Sequence, residues 1–205
     1  MKKIFAIIAV LALLGSFAFS QDTNTDTQTI TVTMNEIALL AVTGAAASIG
    51  STTGDAPAVT ITVTEPPLAG DAPIVTVVHD ATYLRYTSLR FAGQTRKVTA
   101  TLDGLPAGFS ISLKADAATI SSAKGNVGAG STVEFVGATL TGDLVESIGA
   151  GLARTGTEAE AGHPLTYTAK IDENALGELG EGLADGGFLN SLDTVITVTF
   201  TLTDI

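Results

Sequence analysis

Only two histidines, His79 and His163, and no cysteine stand in the 205 residues, so a metal centre or a nucleophile relay has little to draw on. Zinc asks for Cys, His and carboxylate ligands at close spacing. No H-E-x-x-H occurs, and the acids would have to come from scattered places. Each histidine reads as an ordinary loop or strand-end residue. The nucleophile elbow G-x-S-x-G, which puts serine on a tight strand-to-helix turn, is missing, as is a G-K-S/T phosphate loop. Gly149-Ala150-Gly151 starts like a dinucleotide loop, whose glycines let the backbone approach a pyrophosphate. Arg154 stands where the third glycine belongs, and the pattern predicts no strand leading in. Asp22-Thr23-Asn24-Thr25-Asp26 opens like a calcium loop, but Thr27 replaces the turn glycine and Thr33 the bidentate glutamate. The stretches Glu158–Glu160 and Asp172–Glu173 could hold calcium weakly, but solvated loops explain them better. The expectation is no catalytic residue, no cofactor and no resident metal.

Ligand recognition has slightly more support. The chain has no tryptophan and three tyrosines, a poor supply of rings on which to stack a sugar. Tyr83 and Tyr86 fall on opposite faces of one strand, which leaves one of them free to face solvent. Thr-x-Thr recurs at Thr29–Thr33, Thr60–Thr64, Thr99–Thr101 and Thr197–Thr203. Flat threonine arrays can bind ice, but they need even stacking and these segments are unevenly spaced. Solvent-facing threonines on half-buried strands account for them. A ligand- or glycan-binding module using the loops at one end remains the alternative reading.

The elements that would position these residues are strands. From Asp193 to Ile205, Ile196, Val198, Phe200 and Leu202 point one way and Thr197, Thr199, Thr201 and Thr203 the other. A period of two marks a strand with one buried face. Thr29–Met34 repeats the pattern with Ile30, Val32 and Met34. Further strands are expected at Glu36–Val42, Tyr83–Leu89, Thr132–Leu140 and Leu165–Ile171. Gly54-Asp55-Ala56-Pro57-Ala58-Val59-Thr60-Ile61 is echoed by Gly70-Asp71-Ala72-Pro73-Ile74-Val75-Thr76-Val77, a hairpin or paired edge strands. Arg96–Leu102 and Phe109–Leu113, joined by the turn Asp103-Gly104-Leu105-Pro106-Ala107-Gly108, read as a hairpin. Loops are expected at Ala117–Gly130 and Arg154–Pro164. Leu144, Val145, Ile148 and Leu152 recur at helical spacing, but Gly149 and Gly151 weaken it, so a short helix or none is expected over Asp143–Leu152. Leu176, Leu179 and Leu183 suggest a second one within Glu173–Gly187. The whole predicts an all-β chain. It would be an antiparallel β-sandwich, immunoglobulin-like or Greek key, of about eight to ten strands with at most short helices.

The N-terminus sets the compartment. Met1-Lys2-Lys3, an apolar run from Ile4 to Leu14 and small residues up to Ser20 are the parts of a secretory signal peptide. Cleavage is expected after Ser20, leaving no membrane span. Residues 21–28 would be a polar arm and residues 29–205 one β-sandwich domain. Losing Lys2 and Lys3, in a leader without acids, takes the formal charge from −11 to −13. An acidic surface excludes nucleic acid and anionic lipid as natural partners. Export without disulfides suits the periplasm, the cell surface or the medium of a bacterium.

Six stretches taken in order resemble uncharacterised secreted bacterial β-sandwich proteins, some of which look like fimbrial or surface-fibre subunits. They are Glu36–Leu40, Tyr83–Ser88, Arg96–Ala100, Leu105–Gly108, Leu165–Thr168 and Val195–Asp204. The resemblance implies a surface or periplasmic structural protein without catalysis. Its partners would be copies of itself or another envelope protein. Within that expectation Ile30, Val32 and Met34 are the assembly strand. They would leave their own sandwich and add to the edge of a neighbour.

Overall fold

The computed structural model describes residues 28–44, 56–91, 93–106, 108–119, 123–172 and 195–205. The leader, the first calcium-like stretch and the expected helix at Glu173–Gly187 lie outside the described residues. The chain divides into residues 1–34 and 35–205. Of the first unit, residues 28–34 are described; they form no strand and are solvent-exposed. The expected strand at Thr29–Met34 is therefore corrected: alternation made the segment strand-competent, but among the described residues no ladder partner takes it up.

Residues 35–205 hold twelve strands among the described residues, more than expected, and no helix. All ladders are antiparallel. One sheet runs in the order β1 (Ile37–Gly44), β4 (Thr82–Arg90), β11 (His163–Ile171), β6 (Phe109–Ala115), β8 (Thr132–Val136), with β10 (Gly151–Arg154) also on β4. The other runs β12 (Thr197–Asp204), β5 (Arg96–Asp103), β9 (Thr141–Ile148), β7 (Val127–Gly130). The sheets pack face to face as a β-sandwich. Alternate residues fill the space between them: Leu84 from β4, Val98, Ala100 and Leu102 from β5, Leu113 from β6 and Phe135 from β8, all buried. β2 (Val59–Thr64) and β3 (Ile74–His79) form the hairpin expected from the repeated Gly-Asp-Ala-Pro units.

Two expectations fail for physical reasons. β9 occupies most of the stretch read as a helix. Val98 pairs with Val145 but Thr99 with Asp143, so Leu144 is an extra, bulged residue. A second irregularity follows between Val98 and Arg96, where Ser147 has φ of 59°. Bulges break the period of two, and here they turn Leu144, Val145 and Ile148 all into the core. That spacing imitates a helical stripe. β9 also leads directly into Gly149, contrary to expectation, but a strand follows the glycines, not the helix a dinucleotide loop needs.

β5 and β6 are not a hairpin. β5 pairs with β12 and β9, β6 with β11 and β8, so the connection after Asp103 arches from one sheet to the other. Gly104, at φ +81°, makes the turn, and an added Cβ would strike the Val195 carbonyl oxygen. The inner rows of β5 and β6 then enter the same core from opposite sheets.

The two sides of the sandwich differ. On one, the chain passes from β7 through Ser131 into β8 and joins the sheets. The Ser131 amide donates to the Leu144 carbonyl at 2.9 Å, and the Ala115 amide donates to the Ser131 carbonyl at 2.9 Å. β7, unforeseen within a small-residue loop, exists to make this corner. Gly130 is required there, since a Cβ would run into the Ala115 carbonyl. On the other side the sheets end in β1 and β12, which neighbour each other but share no ladder.

β10 and β11 act as one interrupted strand along β4. Arg154 pairs with Thr87 and His163 with Leu84. Between them the Thr155 amide donates to the Tyr86 carbonyl, and Thr155 Oγ1 accepts from the Tyr86 amide, both at 3.1 Å. Residues 156–162 leave the line and return to it.

Candidate functional site

The open side is the candidate site, and a charged cluster defines one of its ends. Arg90 closes β4 and Arg96 opens β5, with side chains 7% and 6% exposed. Arg90 Nη1 lies 3.3 Å from Glu36 Oε2 and also pairs with Asp204. Arg96 Nε donates to Asp204 Oδ1 at 2.8 Å, and its Nη1 donates to the Ile37 carbonyl. Two desolvated cations thus face two acids, the arrangement under which buried charge is tolerated. The Arg96 hydrogen bond, with Arg90 beside it, holds the Asp204 carboxyl below its usual range. Glu36 precedes β1 and Asp204 ends β12, so the cluster ties the start of one edge strand to the end of the other. β1 and β12 accordingly run in opposite directions across the open side.

Beyond this tie the core is incompletely covered. The inner row of β5 is fully buried, whereas its neighbours on β12, Val198, Phe200 and Leu202, are half-buried. On β1, Leu40 and Val42 pack on the core but are also half-buried. The outer row of β12, Thr197, Thr199 and Thr201, is exposed. Among the described residues no strand pairs with the outer edge of β12 or of β1. An edge strand presents unpaired N–H and C=O groups, a template for another strand.

The three residues expected to assemble are open to solvent in their own unit. Ile30 and Val32 are each 77% exposed and Met34 is 57% exposed. No regular structure occupies residues 28–36.

The histidines take different roles. His79 ends β3 and meets Tyr167 of β11 edge to face, with ring centroids 5.8 Å apart. His163, read as a loop or strand-end residue, is wholly buried at the start of β11. Its Nδ1 lies 2.8 Å from the Asp116 carbonyl and its Nε2 3.0 Å from the Tyr86 hydroxyl, which also reaches the Val127 carbonyl. Burial lowers the His163 pKa and raises that of Tyr86. This group staples β4, β7 and β11, and it is closed to solvent. Tyr83 is buried as well, so neither tyrosine of β4 offers a ring to a ligand. Burial pushes the Tyr167 hydroxyl up to about 12.

Among the described residues no group of three or more His, Cys, Asp and Glu is placed to hold a metal ion. No helix among them is long and apolar enough to cross a membrane. The Arg90–Arg96–Glu36–Asp204 cluster escaped sequence reading, because only the register Asp204 opposite Arg96 brings distant charges together. No protein-family model, curated protein or solved structure matches the chain.

Proposed function

We propose that the protein is an exported structural subunit that assembles with copies of itself by strand addition through Thr29–Met34, at the cell surface or in the periplasm. The observation that carries this reading is an alternating segment whose apolar residues Ile30, Val32 and Met34 stand in solvent and in no strand. Exposed apolar side chains at such spacing gain from burial about 1.5–3 kcal/mol each. An added strand also supplies backbone hydrogen bonds, so affinity comes from the main chain and selectivity from every second side chain. A contact of this kind joins unlike surfaces of successive copies, and when it does not close on itself it makes a filament. A high acidic charge keeps unassembled subunits apart and soluble.

The test is deletion of residues 29–34. The full chain is expected to form polymers visible by negative-stain microscopy, and the deleted chain to stay folded by circular dichroism but run as a monomer. A full chain that remains monomeric at high concentration, or a deleted chain that polymerises as before, would refute the reading.

A further inference from the structure

We infer that the acceptor for this strand is the outer edge of β12 in a second copy, on the open side of the sandwich. The inference rests on the strand-addition reading and adds the surface that receives the strand.

Several features select β12. The sandwich is already closed at β7 and β8 by the Ser131 corner, so that side has no gap to fill. On the open side the inner row of β12 is half-buried, although the row behind it on β5 is fully buried. One more strand laid against β12 would complete the cover. The incoming segment has matching chemistry: Thr29-Ile30-Thr31-Val32-Thr33-Met34 repeats the alternation of Thr197-Val198-Thr199-Phe200-Thr201-Leu202. Antiparallel pairing, the rule for every ladder here, would put Ile30, Val32 and Met34 beside Leu202, Phe200 and Val198. The intervening threonines would then extend the cross-strand threonine row that Thr199 and Thr201 already form with Thr101 and Thr99. Lengths agree too, since six residues span about 20 Å, most of an eight-residue strand. Thr29–Met34 and the facing residues Thr197–Leu202 carry no charge in a chain of formal net charge −11, so their approach escapes the repulsion that other parts of the surface would impose. The Glu36–Arg90–Arg96–Asp204 cluster lies at one end of the slot, where it ties β1 to β12.

The natural absence of cysteine makes a direct test clean. Chains carrying Thr31→Cys and chains carrying Thr201→Cys are purified after export, mixed and oxidised. A disulfide forms only where two Cα atoms come within about 7 Å. Both substitutions fall on exposed positions, and circular dichroism checks that each variant folds. The expected result is a covalent dimer in which mass spectrometry finds residue 31 joined to residue 201 or to its neighbour two residues away, tested with Thr199→Cys. A parallel mixture pairs Thr31→Cys with Glu134→Cys on the edge strand β8, and is expected to give no such product. A link to residue 134 in place of β12 overturns the inference and leaves strand addition standing. So does the absence of both links in a protein whose assembly is abolished by deletion of residues 29–34. If neither link forms and deletion leaves assembly unchanged, strand addition falls with it.

Discussion

Replacing Tyr86 by Phe removes one oxygen from the middle of the sandwich and should cost more than a single hydrogen bond. The hydroxyl sits between the Val127 carbonyl and His163 Nε2, and it can donate to only one of them at a time. With His163 Nδ1 donating to the Asp116 carbonyl, a neutral imidazole has no proton left on Nε2. Val127 then depends on the tyrosine, because the Nε2 that lies 3.3 Å away cannot donate. Tyr86→Phe therefore loses a net hydrogen bond of about 1 kcal/mol and leaves a buried carbonyl unsatisfied, for a total of about 2 kcal/mol. In a unit spanning residues 35–205 that lowers Tm by about 4–8 °C. Thermal melting followed by circular dichroism at neutral pH measures it. Hydrogen exchange should show the loss concentrated in β7, which begins at Val127. A Tm within about 1 °C of the parent would refute the accounting, since an unsatisfied buried carbonyl cannot be that cheap.

Burial disfavours the charged form of His163, so the unfolded chain binds that proton more readily than the folded one. Stability is then unaffected by this group well above its ordinary value of 6.5 and falls as pH drops through it; in His163→Gln the Tm difference between pH 7.5 and pH 5.5 should shrink. Asp204 has the opposite sign: its lowered pKa stabilises the fold above the ordinary 3.8, an advantage lost as pH falls through the lower folded value. Asp204→Asn should melt below the parent at pH 6, and titrating both proteins below pH 3 should bring the two curves together.

Alternation located β5, β11 and β12, because each buries one face more deeply than the other. It misled at β9, where bulges put Leu144 next to Val145 on the inside and so produced a helical spacing. β7 left no pattern at all, since Gly128 and Gly130 serve a tight corner and carry no side chain to alternate. Turn chemistry at Asp103–Gly108 announced a reversal of direction correctly. It could not say whether the returning strand lies beside β5 or across from it, because that depends on which inner rows must meet. At Thr29–Met34 the pattern reported a segment able to be a strand, and no local signal names a partner. The arginine pair was invisible for the same reason, its acids lying far away along the chain and joined to it only by register.

The excursion at residues 156–162 has a practical consequence. The chain leaves the β4 line after Thr155 and rejoins it at His163, opposite neighbouring positions of the same strand, while residues 157–160 are exposed. Its two ends are thus clamped independently of what lies between them. Doubling the length of such a loop costs only about 0.6 kcal/mol of closure entropy. A foreign peptide spliced between Thr157 and Glu160 would be displayed on the outside of the folded domain at little thermodynamic cost. The position is a natural port for an epitope or an affinity handle.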